Sequence, residues 1–346
     1  MFDRTFIQVA RSLAVAKSLQ VHPEEAAQQL YGMDASQAVS RVLKAAVDPS
    51  DTTSHLFQPN RVTQAFVDAV KARTVLGRMR VVPVPFKTSI PWLTQSTTAD
   101  FVGESVPIAV TVAAASAPID LAAYKVSGLV VMTNELLAHS DSEAILERDL
   151  VQIVSEAIDR RFLDPTSGAV ARVRPASITS GLTPIDASVV ATAPEMDGLA
   201  AAMIDELVTA GSNLLEAVWA CRPSVALSIA ALRDSGGGRA FPEISPLGGM
   251  LMGFPVLVSA SAPAGALVLV DASEVLLGDN GAAEIATSQN ALIRQSDDPE
   301  NEDTYVSMFQ AEATALRVSR WISWQLRRPF ASIATGLDIA LPDLSE

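Results

Sequence analysis

Hydrophobic and polar positions follow a helical period in three parts of this chain. Apolar side chains three or four residues apart predict amphipathic helices within residues 1–47, 59–73 and 140–163. The third helix would be roughly 35 Å long. Ser140 and Glu143 have the spacing of a capping box at its start, and Asp164-Pro165 ends it. A helix of that length is typical of a structural strut.

Between the second and third helices the pattern changes to that of extended chain. Residues 80–92 are rich in valine, but three prolines place them near a sheet edge rather than at its centre. Extended chain resumes at Phe101-Val102, turns at Gly103–Pro107 and continues through 110–115, which predicts a projecting β-hairpin. The β-branched run 126–133 predicts a buried strand.

A second compact unit is predicted from about residue 181 to residue 291. Its elements would be a helix carrying Leu199, Met203 and Leu207, a strand at 217–221, a helix at 223–233 and strands at 252–258 and 266–270. Gly278-Asp279-Asn280-Gly281 indicates a tight turn. Alternation over 305–328 predicts one long strand that returns to the first unit. The fold class is therefore α+β.

The composition indicates extensive self-association. Apolar residues make up 49% of the 346 residues and aromatic residues only 5%, and the mean hydropathy is +0.28. Uninterrupted apolar runs such as 129–132 and 266–270 are far shorter than the ~20 residues that a membrane span needs. We therefore expect no membrane contact, and partner chains are the better account of the apolar excess.

Net charge and cysteine content exclude further classes. A net charge of −14 argues against general nucleic-acid binding through phosphate contacts. It is compatible with a protein that surrounds DNA without gripping it, and also with plain solubility. The single cysteine, Cys221, excludes an internal disulfide framework and lies in an apolar stretch that predicts a buried thiol.

Candidate chemistry is sparse, so we predict no catalytic, cofactor-binding or metal-binding residues and no enzyme activity. His139 beside Ser140 and Asp141 fits a helix start better than a catalytic triad. The acidic cluster 297–303 lacks the spacing of a calcium loop, and glycines 236–238 lack the lysine of a phosphate loop. Trp321 and Trp324, which alternate with arginines, could stack on nucleic acid, but packing or interface contacts fit the charge better.

Several segments, in this order, resemble major capsid proteins of tailed bacteriophages with the Hong Kong 97 phage fold. The likeness covers roughly residues 49–335. The segments are 86–90, Ala99-Asp100-Phe101-Val102-Gly103-Glu104, Tyr124-Lys125-Val126, Thr133-Asn134-Glu135-Leu136-Leu137, the helix to Phe162-Leu163, Gly181-Leu182-Thr183-Pro184-Ile185, Gly253-Phe254-Pro255-Val256, Ala315-Leu316-Arg317-Val318 and Arg328-Pro329.

The resemblance implies a division of the chain into six parts. They are a helical segment 1–48, an N-terminal arm 49–79, an extended loop 80–123 that lies over a neighbouring subunit, a peripheral domain 124–184 with spine helix 140–163, an axial domain 185–290, and a return to the peripheral domain with a C-terminal tail, 291–346. The implied function is an icosahedral shell that encloses phage DNA, within the virion and assembled in the host cytoplasm.

The implied partners are further copies of the chain in pentamers and hexamers, a portal protein, a maturation protease and double-stranded DNA bound without sequence specificity. We expect contacts between subunits at Trp92, Phe101, Glu104, Val106 and Arg239. Alternatives are an encapsulin-like compartment that encloses cargo protein, a hydrolase with a site in 181–291, and a small-ligand binding protein.

One departure from the family pattern and one further resemblance concern covalent chemistry. Some members of the family crosslink through a lysine just before a proline in the extended loop, but here Val106 precedes Pro107. We therefore expect no crosslinking by that route. Residues 1–48 resemble a built-in scaffold that a protease would remove near 44–48, where a Pro, Ser and Asp cluster follows the helical pattern.

Overall fold

A computed structural model describes most of the chain outside its termini and the predicted extended loop. The described residues are 12, 15–16, 21–32, 61–87, 89–90, 119–135, 142–294 and 305–337. The predicted capping box at Ser140, the hairpin segments from 91 to 118 and the acidic cluster 297–303 lie outside them. In the part of the chain that the structure describes, no helix is long and apolar enough to cross a bilayer.

All described helices except α3, which the sequence did not predict, occur in regions where helices were predicted. The longest begins within two residues of the predicted start and ends at the predicted residue. In chain order the helices are α1 (Pro23–Tyr31), α2 (Arg61–Arg73), α3 (Val75–Arg78), α4 (Ser142–Leu163), α5 (Ala193–Thr209) and α6 (Pro223–Ala231).

The strands differ greatly in length, and the three longest all belong to one sheet. In chain order they are β1 (Val82–Pro83), β2 (Ser89–Ile90), β3 (Ile119–Asp120), β4 (Tyr124–Thr133), β5 (Ile185–Asp186), β6 (Ala217–Cys221), β7 (Ile244–Ser245), β8 (Gly248–Leu251), β9 (Phe254–Val258), β10 (Leu267–Asp271), β11 (Val275–Ser288), β12 (Leu292–Arg294), β13 (Tyr305–Ser307), β14 (Ala313–Leu326) and β15 (Ala331–Thr335).

A four-stranded sheet in the order β1-β11-β14-β4 supports helix α4. Strand β4 pairs with β14 in antiparallel register over ten residue pairs, from Thr133↔Ala313 to Tyr124↔Ile322. A Cβ atom added at Gly128 would lie 3.3 Å from Val154 Cγ2 of the helix. The absence of a side chain at this position therefore allows the close approach of helix and sheet.

A seven-stranded sheet in the order β5-β15-β10-β6-β9-β8-β7 forms the second layer. One of its faces contributes Val218, Ala220, Val268 and Val270 to the core shared with α4 and the four-stranded sheet. Trp219 and other side chains of the opposite face form a separate core with α5 and α6. The two units are thus joined by a continuous apolar layer.

The predicted tight turn at Gly278–Gly281 is wrong, because these residues lie inside the 14-residue strand β11. The register with β14 shifts between Asp279, which pairs with Ile322, and Ala283, which pairs with Arg320. Four steps on β11 therefore oppose two on β14, as in a β-bulge, and Gly281 adopts φ +64° there. Glycine adopts a positive φ readily, in a bulge as well as in a tight turn, so its presence does not distinguish the two.

The predicted long strand 305–328 is two strands. β13 ends at Ser307, a turn follows in which the N–H of Ala311 donates to the carbonyl of Ser307, and β14 begins at Ala313. Strand β11 lies in the four-stranded sheet and β15 in the seven-stranded sheet. The chain therefore passes from the seven-stranded to the four-stranded sheet between β10 and β11 and returns between β14 and β15.

Candidate functional site

The five predicted inter-subunit residues are mostly outside the described part of the chain. Trp92, Phe101, Glu104 and Val106 fall in the segment that the structure does not describe. Arg239 is described and exposed, on the turn that follows α6. Its role in subunit contact stays a prediction.

The glycine-rich turn beside Arg239 is held by an aspartate. Asp234 Oδ1 accepts hydrogen bonds from the backbone N–H of Gly236 at 2.9 Å and of Gly238 at 2.8 Å, and Arg233 pairs with Arg239 in an isolated antiparallel β-bridge. These two amides are satisfied within the turn, so they are not free to bind a phosphate. The turn presents Arg233 and Arg239 to solvent.

Large apolar side chains are exposed on both units. In the seven-stranded unit Leu247 is 90% and Leu215 82% exposed, and beside the four-stranded unit Phe309 is 76% and Leu292 69% exposed. Leu129 and Val131 face outward from β4, which is the edge strand of its sheet. These exposed apolar residues are spread over several places and are not gathered in a single pocket.

Two described side chains that could act as nucleophiles, Cys221 and Ser212, are not arranged for catalysis. Cys221 is fully buried in β6, and burial raises the pKa of its thiol to about 12, so the thiolate needed for nucleophilic attack is not formed at neutral pH. Ser212 donates a hydrogen bond to Asp271, yet no histidine occurs in 181–291. Among the described residues, no group of three metal-ligating side chains is found.

Asp159 joins the two units at a buried junction. Its Oδ1 accepts from the N–H of Val75 at 2.9 Å, and its Oδ2 accepts from the hydroxyl of Ser259 at 2.6 Å. Burial raises the pKa of Asp159 to about 6, although these two hydrogen bonds and the charge of Arg78 favour the carboxylate. The sequence did not reveal this buried carboxyl, because the buried face of α4 was predicted from its apolar residues alone.

A second buried polar cluster crosses the four-stranded sheet at the β11 bulge. Arg320 is 1% exposed, and its Nη2 lies 2.7 Å from Asp279 Oδ2. Lys71 Nζ of α2 lies 3.0 Å from the same oxygen. Burial alone would raise the pKa of Asp279, but Arg320, the N–H of Gly281 and Lys71 together lower it below the usual value.

The aromatic residues predicted as packing groups have that role. Trp324 is buried, and its ring meets Phe162 edge to face with centroids 5.5 Å apart. Its Nε1–H donates to the carbonyl of Ala176 at 2.8 Å. Trp321 lies under the ammonium of Lys125, 6.0 Å from the ring centroid. Trp324 is therefore not free to stack on nucleic acid.

Beside Trp324 lies an open cleft of about 450 Å³. One wall is the end of β14 with Arg327 and Arg328, another is the turn 175–182, and the third is the stretch 121–124, where the predicted extended loop rejoins β4. Arg327 makes two hydrogen bonds to the carboxylate of Glu274, at 2.8 and 2.6 Å. The Nε of Arg328 is buried and has no hydrogen-bond partner among the described residues.

Long paired strands, a helical strut across them and exposed apolar surfaces are typical of a structural protein that associates with other chains. The model of the phage capsid family matches residues 55–334. The chain belongs to this family, and its fold is that of phage major capsid proteins, as the sequence predicted.

Known proteins similar to the chain agree with the family match. It is 31% identical, over 361 aligned residues, to the capsid polyprotein of Pseudomonas phage PAJU2, with 96% of this chain and 54% of that protein covered. The chain thus spans about half the length of this curated relative. A solved chain of Mycobacterium phage Bobi has a TM-score of 0.55 at 16% identity, with 76% of this chain and 90% of that chain covered. A chain from the capsid of a native GTA particle has a TM-score of 0.50 at 13% identity, with 78% and 89% covered.

Proposed function

We propose that this chain is a major capsid protein whose copies close into an icosahedral shell around double-stranded phage DNA. The observation that carries the proposal is the family match over residues 55–334, which include both sheets and α4. Exposed apolar side chains on both units support it, because a lone subunit would leave them in water. Each copy would make several modest contacts, and their sum would stabilise the shell.

The proposal gives each segment a role. Helix α4 would be the spine of the peripheral domain, residues 80–123 the extended loop over a neighbour, and residues 49–79 the arm. The unit built on the seven-stranded sheet would be the axial domain, whose turns, including the one with Arg239, meet around the symmetry axes of pentamers and hexamers. The continuous core between the sheets supports rigid coupling of the two domains within a subunit.

The proposed partners are other copies of this chain, a portal protein and a maturation protease, and the location is the virion after assembly in the host cytoplasm. The net charge of −14 supports enclosure of DNA without phosphate contacts. The phage origin of the curated relative favours DNA over the protein cargo of an encapsulin-like shell. The absence of histidine from 181–291 weighs against a hydrolase.

Expression of the chain alone should yield closed hollow particles. The exposed apolar surfaces of the subunits are removed from water only when neighbours cover them. Sedimentation through a sucrose gradient followed by negative-stain electron microscopy measures this directly. A monomer that persists at high concentration and sediments as a single globule would contradict the proposed function.

Mature particles should contain a subunit shortened at its N-terminus. The expected product of co-expression with the maturation protease has lost residues 1–48 and is lighter than the 36.5 kDa chain by their mass. The Pro, Ser and Asp cluster at 48–54 motivates this boundary. Intact-mass spectrometry of purified particles checks it, and a full-length subunit in mature particles shows that the segment is retained.

A further inference from the structure

The cleft beside Trp324 has two basic residues in its lining, of which Arg327 is paired with Glu274 and Arg328 has no acidic partner among the described residues. Arg327 and Arg328 are the charged residues among those that line it, and none of the lining residues is acidic. The turn that continues from its wall carries Arg172, which is exposed, and Arg174. On a chain with a net charge of −14, a region with several arginines and an acid-free lining indicates an anionic occupant.

Arg328 has an unsatisfied hydrogen-bond donor beside the cleft, counted over the described residues. Its guanidinium carbon lies 5.7 Å from the ring centroid of Phe330, which orients the side chain. Its Nε is buried without an acceptor among the described residues, whereas neighbouring Arg327 is matched by Glu274. The Arg328 side chain as a whole is only half-buried, so a carboxylate that enters the cleft could form a charge-assisted hydrogen bond with the accessible part of its guanidinium.

The chain itself contains a segment with matching charge. Residues 297–303 contain five acidic residues, namely Asp297, Asp298, Glu300, Glu302 and Asp303, and no basic residue. This segment lies in the connection between β12 and β13, which are paired from Leu292↔Ser307 to Arg294↔Tyr305. The two paired strands therefore fix the points between which this segment runs.

Within one subunit the segment cannot reach the cleft. The hairpin packs on the first residues of β14, through contacts of Ile293 and Val306 with Ala313. Arg328 lies past the other end of β14, and the 13 steps from Ala313 to Leu326 span about 43 Å. The ten residues between Arg294 and Tyr305 reach out and back by about 17 Å at most. The three residues of β13 add only about 10 Å.

We propose that the cleft beside Trp324 receives the acidic segment 297–303 of a neighbouring copy of this chain. This inference rests on the proposed function, since only an assembled shell brings segment 297–303 of one subunit next to the cleft of another. The contact is heterologous, because the acidic segment of one subunit enters a cleft of the next, and such contacts close into rings under rotational symmetry.

A disulfide between engineered cysteines tests the contact in particles of the full chain. Ala122 lines the cleft and is exposed, so Ala122→Cys is paired with Asp298→Cys in one chain, while the native Cys221 stays buried. Mild oxidation of assembled particles should give a ladder of dimers and larger oligomers on a non-reducing gel. The matched control, Leu215→Cys with Asp298→Cys, uses an exposed position on the other unit and should stay monomeric.

Three results would overturn the contact: an absence of crosslinks in intact particles, a disulfide formed within a single chain, or equal crosslinking by the control. Particles that form without the crosslink contradict the contact and leave the proposed function standing. An unmodified chain that never assembles contradicts both.

Charge reversal gives a second test that does not depend on cysteine geometry. Arg328→Glu should raise the protein concentration needed for assembly at least tenfold, and Arg328→Gln should raise it less. Adding Asp297→Lys and Asp298→Lys to Arg328→Glu should restore much of the loss, because the charges then match again. Circular dichroism of unassembled subunits separates assembly from folding. Assembly of a folded Arg328→Glu chain at the unmodified concentration would contradict the proposal.

Discussion

Asp279→Ala should lower the free energy of unfolding of the subunit by about 3–5 kcal/mol, the usual cost of leaving a buried charge without its partner. Arg320 is 1% exposed, and Asp279 is the acid that contacts it among the described residues. The alanine also removes the acceptor for the N–H of Gly281, which helps to form the bulge in β11. Urea denaturation of unassembled subunits, followed by tryptophan fluorescence, measures the loss.

Two matched variants separate the buried charge from ordinary ion pairing. Lys71→Ala removes a cation that is 40% exposed from the same carboxylate and should cost about 1 kcal/mol or less. Asp279→Leu combined with Arg320→Met removes both buried charges and should recover much of the stability lost in Asp279→Ala. If Asp279→Ala has the same unfolding free energy as Lys71→Ala, the Arg320 guanidinium in the Asp279→Ala variant must be hydrated or paired with another group.

The same cluster contributes a definite pH dependence. Because the pKa of Asp279 is lowered in the folded chain, its stabilising contribution is fully present above the usual carboxylate pKa of about 4. The contribution is lost as the pH falls through the lowered folded value. This is the ordinary behaviour of a carboxylate paired with arginine.

Much of the fold follows from the periodicity of the sequence. Strand β6 occurs at its predicted residues, and α4 and α5 follow their apolar stripes, because burial of one face stabilises each element locally. Strand β11 was missed because Gly278-Asp279-Asn280-Gly281 has the composition of a turn. Its extended form depends on long-range pairing with β14 and on Arg320, which binds Asp279 from that strand. Tertiary contacts thus override local preference at this point.

The candidate site was less predictable than the fold. The walls of the cleft come from 121–124, 175–182 and 323–329, which are far apart in sequence and meet only after both units have formed. Sequence reasoning did single out the arginines next to Trp324, and it favoured packing or interface contacts for this stretch over stacking on nucleic acid. What distinguishes Arg328 is that its Nε has no hydrogen-bond acceptor among the described residues, and such a feature appears only in a three-dimensional arrangement.

The junction at Asp159 also could not be predicted from the sequence. Its contribution to stability changes with pH in the opposite direction to that of Asp279. It connects α4, the start of α3 and the residue after β9, so it links elements of both units. The acid form of the carboxyl can keep both contacts, by accepting from the N–H of Val75 and donating to the oxygen of Ser259. The buried charge, in contrast, has only Arg78 as a cationic neighbour that affects its pKa. Deprotonation therefore weakens the junction.

Asp159→Asn should make the subunit more stable than the unmodified chain at neutral pH, and the advantage should disappear in acid. Since the pKa of Asp159 rises from 3.8 when unfolded to about 6 when folded, the folded state binds more protons between these values, and stability falls as the pH rises through them. The total loss is about 3 kcal/mol at 1.36 kcal/mol per pKa unit, with about half of it between pH 5 and pH 8. Asparagine mimics the neutral acid and escapes this loss.

The informative measurement is the difference in unfolding free energy between Asp159→Asn and the unmodified chain, followed from pH 5 to pH 8. It should grow in favour of asparagine as the pH rises. Asp186→Asn is the matched control, because Asp186 is exposed and the hydroxyl and N–H of Ser188 lower its pKa. Asparagine at that position should bring no gain at high pH, since the charged form of Asp186 is the favoured one. If the unfolding free energies of both variants run parallel to that of the unmodified chain from pH 5 to pH 8, burial does not destabilise the Asp159 carboxylate. Water must then reach the junction between the two units.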